Sequence, residues 1–397
     1  MFSSLVALRR RYFSVLRSVH PHIQKSVPVR CGSGGSVEVD LYNVDEFSPT
    51  NSLIVHLPPQ PKGEGSVKQL PEFLYDWPVA SINYRWGTER LNAASQENEF
   101  LDSLDWPAPV HDVAFAYQWI SEALKPPNNE RGNIYVCGSH LGAGLAMSLS
   151  LTESHPHKRF SVRGIAAYNG IYNWTMFLPG HRINRPKTAG DAIKASRLKN
   201  GNHRLDTLHQ RLISLFEEPS NLFDPFASPS LFFHNPGLPV PQSFYKSTEF
   251  ASIVGALKGQ ASTAAGASAM PRRSHFVFPP RASTLRIPET LLLHDEPSKP
   301  PPDESKTSKS KRGPKFKDKR HTFRTQANEI ASLMRRSINL VEIKERAKWD
   351  EDVHFLAEEP QRRIQVVEAG PEREDYELND FGQQAILDWL DGIHDRR

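Results

Sequence analysis

Asn133-Ile-Tyr-Val-Cys-Gly-Ser-His-Leu-Gly-Ala-Gly-Leu-Ala146 decides how this chain is read. Ile134 to Cys137 is a short apolar run rich in strand formers, and from Leu141 small and apolar residues alternate into Thr152 as in a buried helix. Glycines stand between the two. The pattern predicts a strand, a sharp turn and a helix. In such a turn the central residue, here His140, takes a positive φ, and the residues two away on either side, Gly138 and Gly142, must be small where strand and helix pass closely. Histidine tolerates that backbone better than most residues.

Working outward, 397 residues with 38% hydrophobic and 24% charged side chains suffice for a large core, as one long α/β domain or two smaller ones. The net charge is +4, and the positive residues bunch at the N-terminus and between Lys299 and Arg324, so the pI of about 8.9 reflects two segments rather than a basic body. Two cysteines make no disulfide framework, and Cys137 lies in the apolar strand, which favours a reducing compartment. No apolar run reaches the roughly 18 to 20 residues of a membrane span.

Residues 1–35 stand apart. No acid precedes Glu38, while Arg9, Arg10, Arg11, Arg17, Lys25 and Arg30 supply charge, and Leu5, Leu8, Tyr12, Val15 and Leu16 share a helical face. This is the basic, amphipathic, acid-poor pattern of a mitochondrial transit peptide, with a basic tail and a cytoplasmic protein as the alternative. The body is expected from Ser36, with Val37, Val39 and Leu41 as an edge strand. More continuous apolar runs follow at Ser52 to Leu57, Val79 to Arg85, Val162 to Tyr168, Leu291 to His294 and Ile364 to Glu368, as in buried parallel strands. A helix opening at Pro107-Ala-Pro-Val-His-Asp112 and a closing helix from Phe381 to Ile393 complete a strand and helix alternation. The expected architecture is a doubly wound, mostly parallel α/β sheet.

These elements resemble the α/β-hydrolase fold, closest to the esterase and lipase branch typified by hormone-sensitive lipase. That branch has an H-G-G-G loop, a V-x-x-x-x-Y-R strand, a P-x-x-x-x-D helix start, a strand into G-x-S-x-G-G, and a late acid and histidine. Val79 to Arg85, Pro107 to Trp119 and Asn133 to Ala146 match the middle elements in order and spacing. The resemblance covers residues 36–170 well and 285–395 loosely. It implies the fold; chemistry has to be argued from the site.

The resemblance also implies where a serine nucleophile, its histidine base, an orienting acid and oxyanion-holding N–H groups would stand. The nucleophile position is His140, with elbow glycines Gly138 and Gly142, and Ser139 lies one residue early, where it reads as a turn hydroxyl. The oxyanion loop reads His56-Leu57-Pro58-Pro59, and proline has no N–H to donate. Leu141 keeps a candidate donor. Asp295 and Glu296 are available for the acid role after the strand ending at His294. The segment Ala369 to Leu378, where the base belongs, holds Glu372, Glu374 and Asp375 but no histidine; His354 and His394 flank it. A neutral imidazole is itself a competent nucleophile, so His140 could act directly. As a metal ligand it would need partners, and His155 and His157 come with no acid or cysteine cluster, so neither metal nor cofactor is expected.

Residues 172–285 are read as an inserted cap between the core halves 36–171 and 286–395. Trp174, Phe177, Leu215, Phe216, Phe226 and Phe233 are taken as the cap's own core or as lining for a small acyl or apolar ligand beneath it. A second insert, 297–324, is rich in Pro, Lys and Ser and is expected to be disordered. Its basic run holds only Phe316 and Phe323 as aromatics, too few for a nucleic-acid stacking platform. The expectation is an esterase/lipase-like pseudoenzyme with a binding or scaffolding role, set against a weak carboxylic-ester hydrolase and a mitochondrial RNA- or lipid-binding protein.

Overall fold

The computed structural model describes residues 23–47 (without 33), 52–61, 70–87, 104–127, 130–184, 203–244, 271–295, 321–350 and 356–394 (without 372, 374 and 375). The chain runs β1 (Lys25–Arg30), β2 (Ser36–Tyr42), β3 (Leu53–Leu57), β4 (Val79–Asn83), α1 (Ala108–Ala123), β5 (Gly132–Ser139), α2 (His140–Glu153) and β6 (Phe160–Tyr168). There follow α3 (His203–Gln210), α4 (Leu212–Phe216), the two-residue strands β7 (His234–Asn235) and β8 (Ser274–His275), and β9 (Glu289–Asp295). Helix α5 (Phe323–Ser337) continues through a π-helical turn, Ile338–Ile343, into α6 (Lys344–Arg346), before α7 (Glu359–Arg363), β10 (Ile364–Gly370) and α8 (Asp380–His394).

The main sheet is ordered β1-β2-β4-β3-β5-β6-β9-β10. Strands β1, β2 and β4 pair antiparallel and every later neighbour pairs parallel. The continuous apolar runs have the cause expected of them, because successive side chains serve opposite faces that are both covered. Ile134 and Val136 join the core beneath α1, α2 and α5, while Tyr135 and Cys137 join the one beneath α8. The same split divides Leu292 from Leu291 and Leu293 on β9.

Two boundaries differ from the sequence reading. The sheet begins at Lys25, ahead of Ser36, so β2 is an inner strand and β1 the edge. The signal was weak because β1 carries Lys25, Pro28 and Arg30 and buries only Val29, as an edge strand is free to do. At the other insert, residues 297–320 lie outside the described residues, but folded chain has resumed by His321. Thr322 caps α5 with a reciprocal Thr322–Thr325 box, and Phe323 is buried rather than part of a solvated loop.

The described residues of 172–285 share the core of the α1 and α2 face. Phe216 packs against Trp174 at 4.9 Å and against Trp86, from the loop after β4, at 5.4 Å. Trp86 Nε1 donates to the Leu215 carbonyl and Trp106 Nε1 to Asp224, so each indole buries its ring while keeping its polar atom satisfied. Trp174, Phe177, Phe216 and Phe233 thus belong to a core held in common with the sheet domain, while Phe226 stays exposed. Among the described residues no helix is long and apolar enough to cross a membrane.

Candidate functional site: a nucleophile elbow carrying histidine

The turn from β5 into α2 has the geometry of an elbow. Ser139 is extended at φ −133°, and the positive φ of 51° falls on His140. A Cβ on Gly138 would meet the Gly142 carbonyl at 2.7 Å and Ala146 at 2.9 Å, which is the close strand and helix passage that demands glycine. Gly142 is tighter still: its Cβ would lie 2.3 Å from the Pro58 oxygen and 2.5 Å from the Leu57 oxygen. The loop after β3 therefore rests on the first turn of α2.

That loop arrives with acceptors. The Leu141 N–H, the amide next after the elbow residue, donates to the Pro59 carbonyl at 3.3 Å. Tyr84 in turn donates its hydroxyl to the Pro58 carbonyl at 2.9 Å and fixes the loop from the neighbouring strand. The candidate oxyanion donor thus spends its hydrogen bond inside the chain, at a helix N-terminus whose positive end suits a carbonyl oxygen. His56 is buried on β3 with Nδ1 3.0 Å from Ser81 Oγ. Leu57 is fully buried.

His140 itself is 2% exposed and stands among rings. Tyr168, Phe323 and Tyr376 meet it edge-on with centroids 5.7, 5.8 and 4.9 Å away. Phe323 is the residue that the sequence reading left in the insert. Tyr376 lies in the segment after β10 where the base was sought, at φ 65°, and Arg204 of α3 covers its ring at 3.7 Å. Glu296, Glu372, Glu374, Asp375 and His354 lie outside the described residues. Sequence reasoning passed over Tyr376 because it searched that segment for a proton acceptor, and nothing local marks this half-buried ring as a neighbour of His140.

Asp295 is the candidate acid of the sequence. It ends β9, is 7% exposed, and donates its backbone N–H to the side-chain oxygen of Asn169 at 2.9 Å. Beside it, burial holds His294 below the ordinary imidazole range, with Nδ1 2.8 Å from the Asp295 carbonyl. Cys137, just before the elbow, is no substitute nucleophile, since burial pushes its thiol up to about 12. His155 and His157 pack ring to ring at 5.5 Å, and no group of three or more His, Cys, Asp or Glu able to hold a metal ion occurs among the described residues.

The resembling middle motifs meet in one structural pair. Asp112 of α1 accepts from the Arg85 backbone N–H at 2.9 Å, from Nε at 3.0 Å and from Nη2 at 2.6 Å, with its carboxylate fully buried. The Y-R strand and the P-x-x-x-x-D helix start are thereby tied together, and Tyr84, the residue before Arg85, reaches the Pro58 carbonyl.

The strand order, the antiparallel β2 and the elbow between β5 and α2 define an α/β-hydrolase fold. No family model and no curated protein matches the chain. Among solved structures it is similar to a hyperthermophilic esterase from the archaeon Pyrobaculum calidifontis, with 14% identity over 99% of this chain and 88% of that one at a TM-score of 0.47. Carboxyl esterase 2 from the mycorrhizal fungus Tuber melanosporum shares 14% identity over 100% and 99% at 0.42. A hormone-sensitive lipase from a metagenome library shares 12% over 84% and 78% at 0.40. These are likenesses of fold, and the chemistry of the site rests on its own residues.

Proposed function

We propose that this chain is a pseudohydrolase: an esterase/lipase-like fold that binds or scaffolds and does not turn over esters. The observation that carries this reading is the Leu141 N–H donating to Pro59. Acyl transfer needs donors aimed at the developing oxyanion, and the loss of one such donor costs about 2.7–4 kcal/mol in catalysis. Here the loop supplies carbonyls, and two of its residues are prolines. A histidine boxed by Tyr168, Phe323 and Tyr376 at the nucleophile position adds support, as does an aromatic ring where the base would stand. The test is hydrolysis of a short acyl p-nitrophenyl ester together with fluorophosphonate labelling. Neither is expected above a buffer control. Hydrolysis by the wild type that His140→Ala abolishes would make His140 a nucleophile and overturn the reading.

The acid-free N-terminus supports a mitochondrial location for the same protein. Residues 1–22 lie outside the described residues, and a cut that keeps the edge strand β1 in the sheet would fall before Lys25. Mass spectrometry of the mature N-terminus decides this, and intact Met1 on cytosolic protein refutes it.

A further inference from the structure

We infer that the groove between the β8 loop and the π-helical turn is a binding site for a fatty-acyl carboxylate, seated away from the elbow. The cavity has a volume of about 310 Å³ and is walled by Phe233, Phe276, Val277, Leu333, Leu340 and Val341. Phe276 and Val277 are 50% and 57% exposed, an arrangement that leaves apolar surface in water unless something covers it.

The rim decides the chemistry of the occupant. Arg281, Arg336, Lys344, Glu345 and Lys348 surround the apolar walls. Glu345 is engaged by Lys348 at 2.7 Å and by Arg281 at 3.4 Å. Glu342, the other acid of this turn, is turned to Arg363 at 2.7 Å and Arg286 at 3.2 Å. Arg336 and Lys344 are left with no acid partner among the described residues. An apolar slot with cations at its mouth matches an apolar chain ending in an anion. The backbone agrees, since Leu340 and Val341 are presented by a π-helical turn, a departure from the α-helix that occurs mostly as short insertions and is frequent at functional sites.

Size selects a single chain over a protein partner. The volume lies at the small end of ligand pockets, about 300–1,000 Å³, whereas a stable protein contact buries about 800 Å² on each side. The site deepens the binding reading above by naming a ligand class. Because its test involves no ester turnover, its failure would leave the labelling result untouched.

The experiment is calorimetric titration of the full chain with sodium decanoate, with decanol as the uncharged analogue and phosphatidylglycerol vesicles as the membrane arm. One decanoate site is expected, with decanol bound at least about tenfold more weakly. Val277→Asp, at an exposed position that leaves packing intact, is expected to weaken decanoate about tenfold or more. The double variant Arg336→Gln, Lys344→Gln is expected to weaken decanoate similarly while leaving decanol unchanged. Circular dichroism and the thermal midpoint of each variant should match the wild type. Decanoate affinity indifferent to these substitutions, or equal affinity for decanol, overturns the proposal. So does vesicle binding without decanoate binding, which would make the same surface a membrane contact.

Discussion

The Leu141 N–H and the Pro59 carbonyl face each other at 3.3 Å, so the amide that an oxyanion would use already has a partner within the chain. Restoring the nucleophile alone is therefore not expected to restore chemistry. His140→Ser supplies a hydroxyl while the oxyanion donor stays engaged and Tyr376 is the residue after β10 that meets this position; triad members act as a unit. The expected result is a folded variant that neither labels with a fluorophosphonate nor exceeds the buffer rate on p-nitrophenyl butyrate. The informative contrast is the same variant with glycines at Leu57, Pro58 and Pro59. Brisk labelling of His140→Ser by itself would show that the loop yields easily.

Gly142→Ala tests how firmly that loop is seated. The new methyl would sit 2.3 and 2.5 Å from the carbonyl oxygens of Pro58 and Leu57, both backbone atoms, so the strain has no flexible side chain to absorb it. Overpacking of this kind costs about 1–3 kcal/mol. Gly392→Ala in α8 is the control, because nothing lies within 4 Å of its added Cβ. It is expected to stabilise by about 0.4–1 kcal/mol through helix propensity and a less flexible unfolded chain. Urea unfolding of the two variants should move in opposite directions.

How much of this was legible follows from what each residue is asked to do. Gly138, His140 and Gly142 were readable because a positive φ and a close helix passage restrict residue type within five positions. The parallel strands were readable because both faces are buried and the runs are continuous. Phe323 and Tyr376 were not, since their role is set by contact with His140 across 183 and 236 residues of chain, and nothing local marks an aromatic that closes a distant turn. Pro59 was read as a missing donor, which it is. That its carbonyl would cap Leu141 depends on the loop's path over Gly142 and needed the structure.

Asp112 is expected to be among the costliest polar positions. Its carboxylate is fully buried and takes three hydrogen bonds from Arg85, one from the backbone and two from the guanidinium. Removing one member of a buried pair leaves an uncompensated charge or donor and costs about 3–5 kcal/mol. Asp112→Ala should lose that much in chemical denaturation. Arg85→Lys should lose part of it, because an ammonium cannot reproduce the forked contact. A near-neutral Asp112→Ala would mean that the pair is solvated.

The last expectation concerns acid, and it follows from one imidazole. His321 is buried just ahead of α5 and its Nε2 lies 2.9 Å from the side-chain nitrogen of Gln326, so in the folded state that ring atom accepts and the ring is neutral. Gln326 is already committed elsewhere: its oxygen accepts from the N–H groups of Tyr172 and Asn173, and its nitrogen also donates to the Asn173 carbonyl. Burial, with His181 and His209 nearby, pushes His321 down to about 3. The folded protein therefore resists a proton that the unfolded chain accepts below its ordinary value near 6.5. Stability is fully present above about pH 6.5 and is lost as pH falls toward 3, with a slope approaching about 1.4 kcal/mol per pH unit for this one group. His234, held down to about 4 by burial and by His275, Arg273 and Arg182, adds to the loss within the same range. Glu359 belongs to a lower window. Burial alone would raise it, but hydrogen bonds from Arg362 and Arg363 hold it at about 2, so its contribution disappears only below the ordinary carboxylate range. Urea unfolding at pH 7.5, 6.5, 5.5 and 4.5 should therefore show a decline that begins near 6.5. His321→Gln should be less stable than the wild type at pH 7.5 yet lose less between 6.5 and 4.5, and equal slopes for the two proteins would remove His321 as the cause.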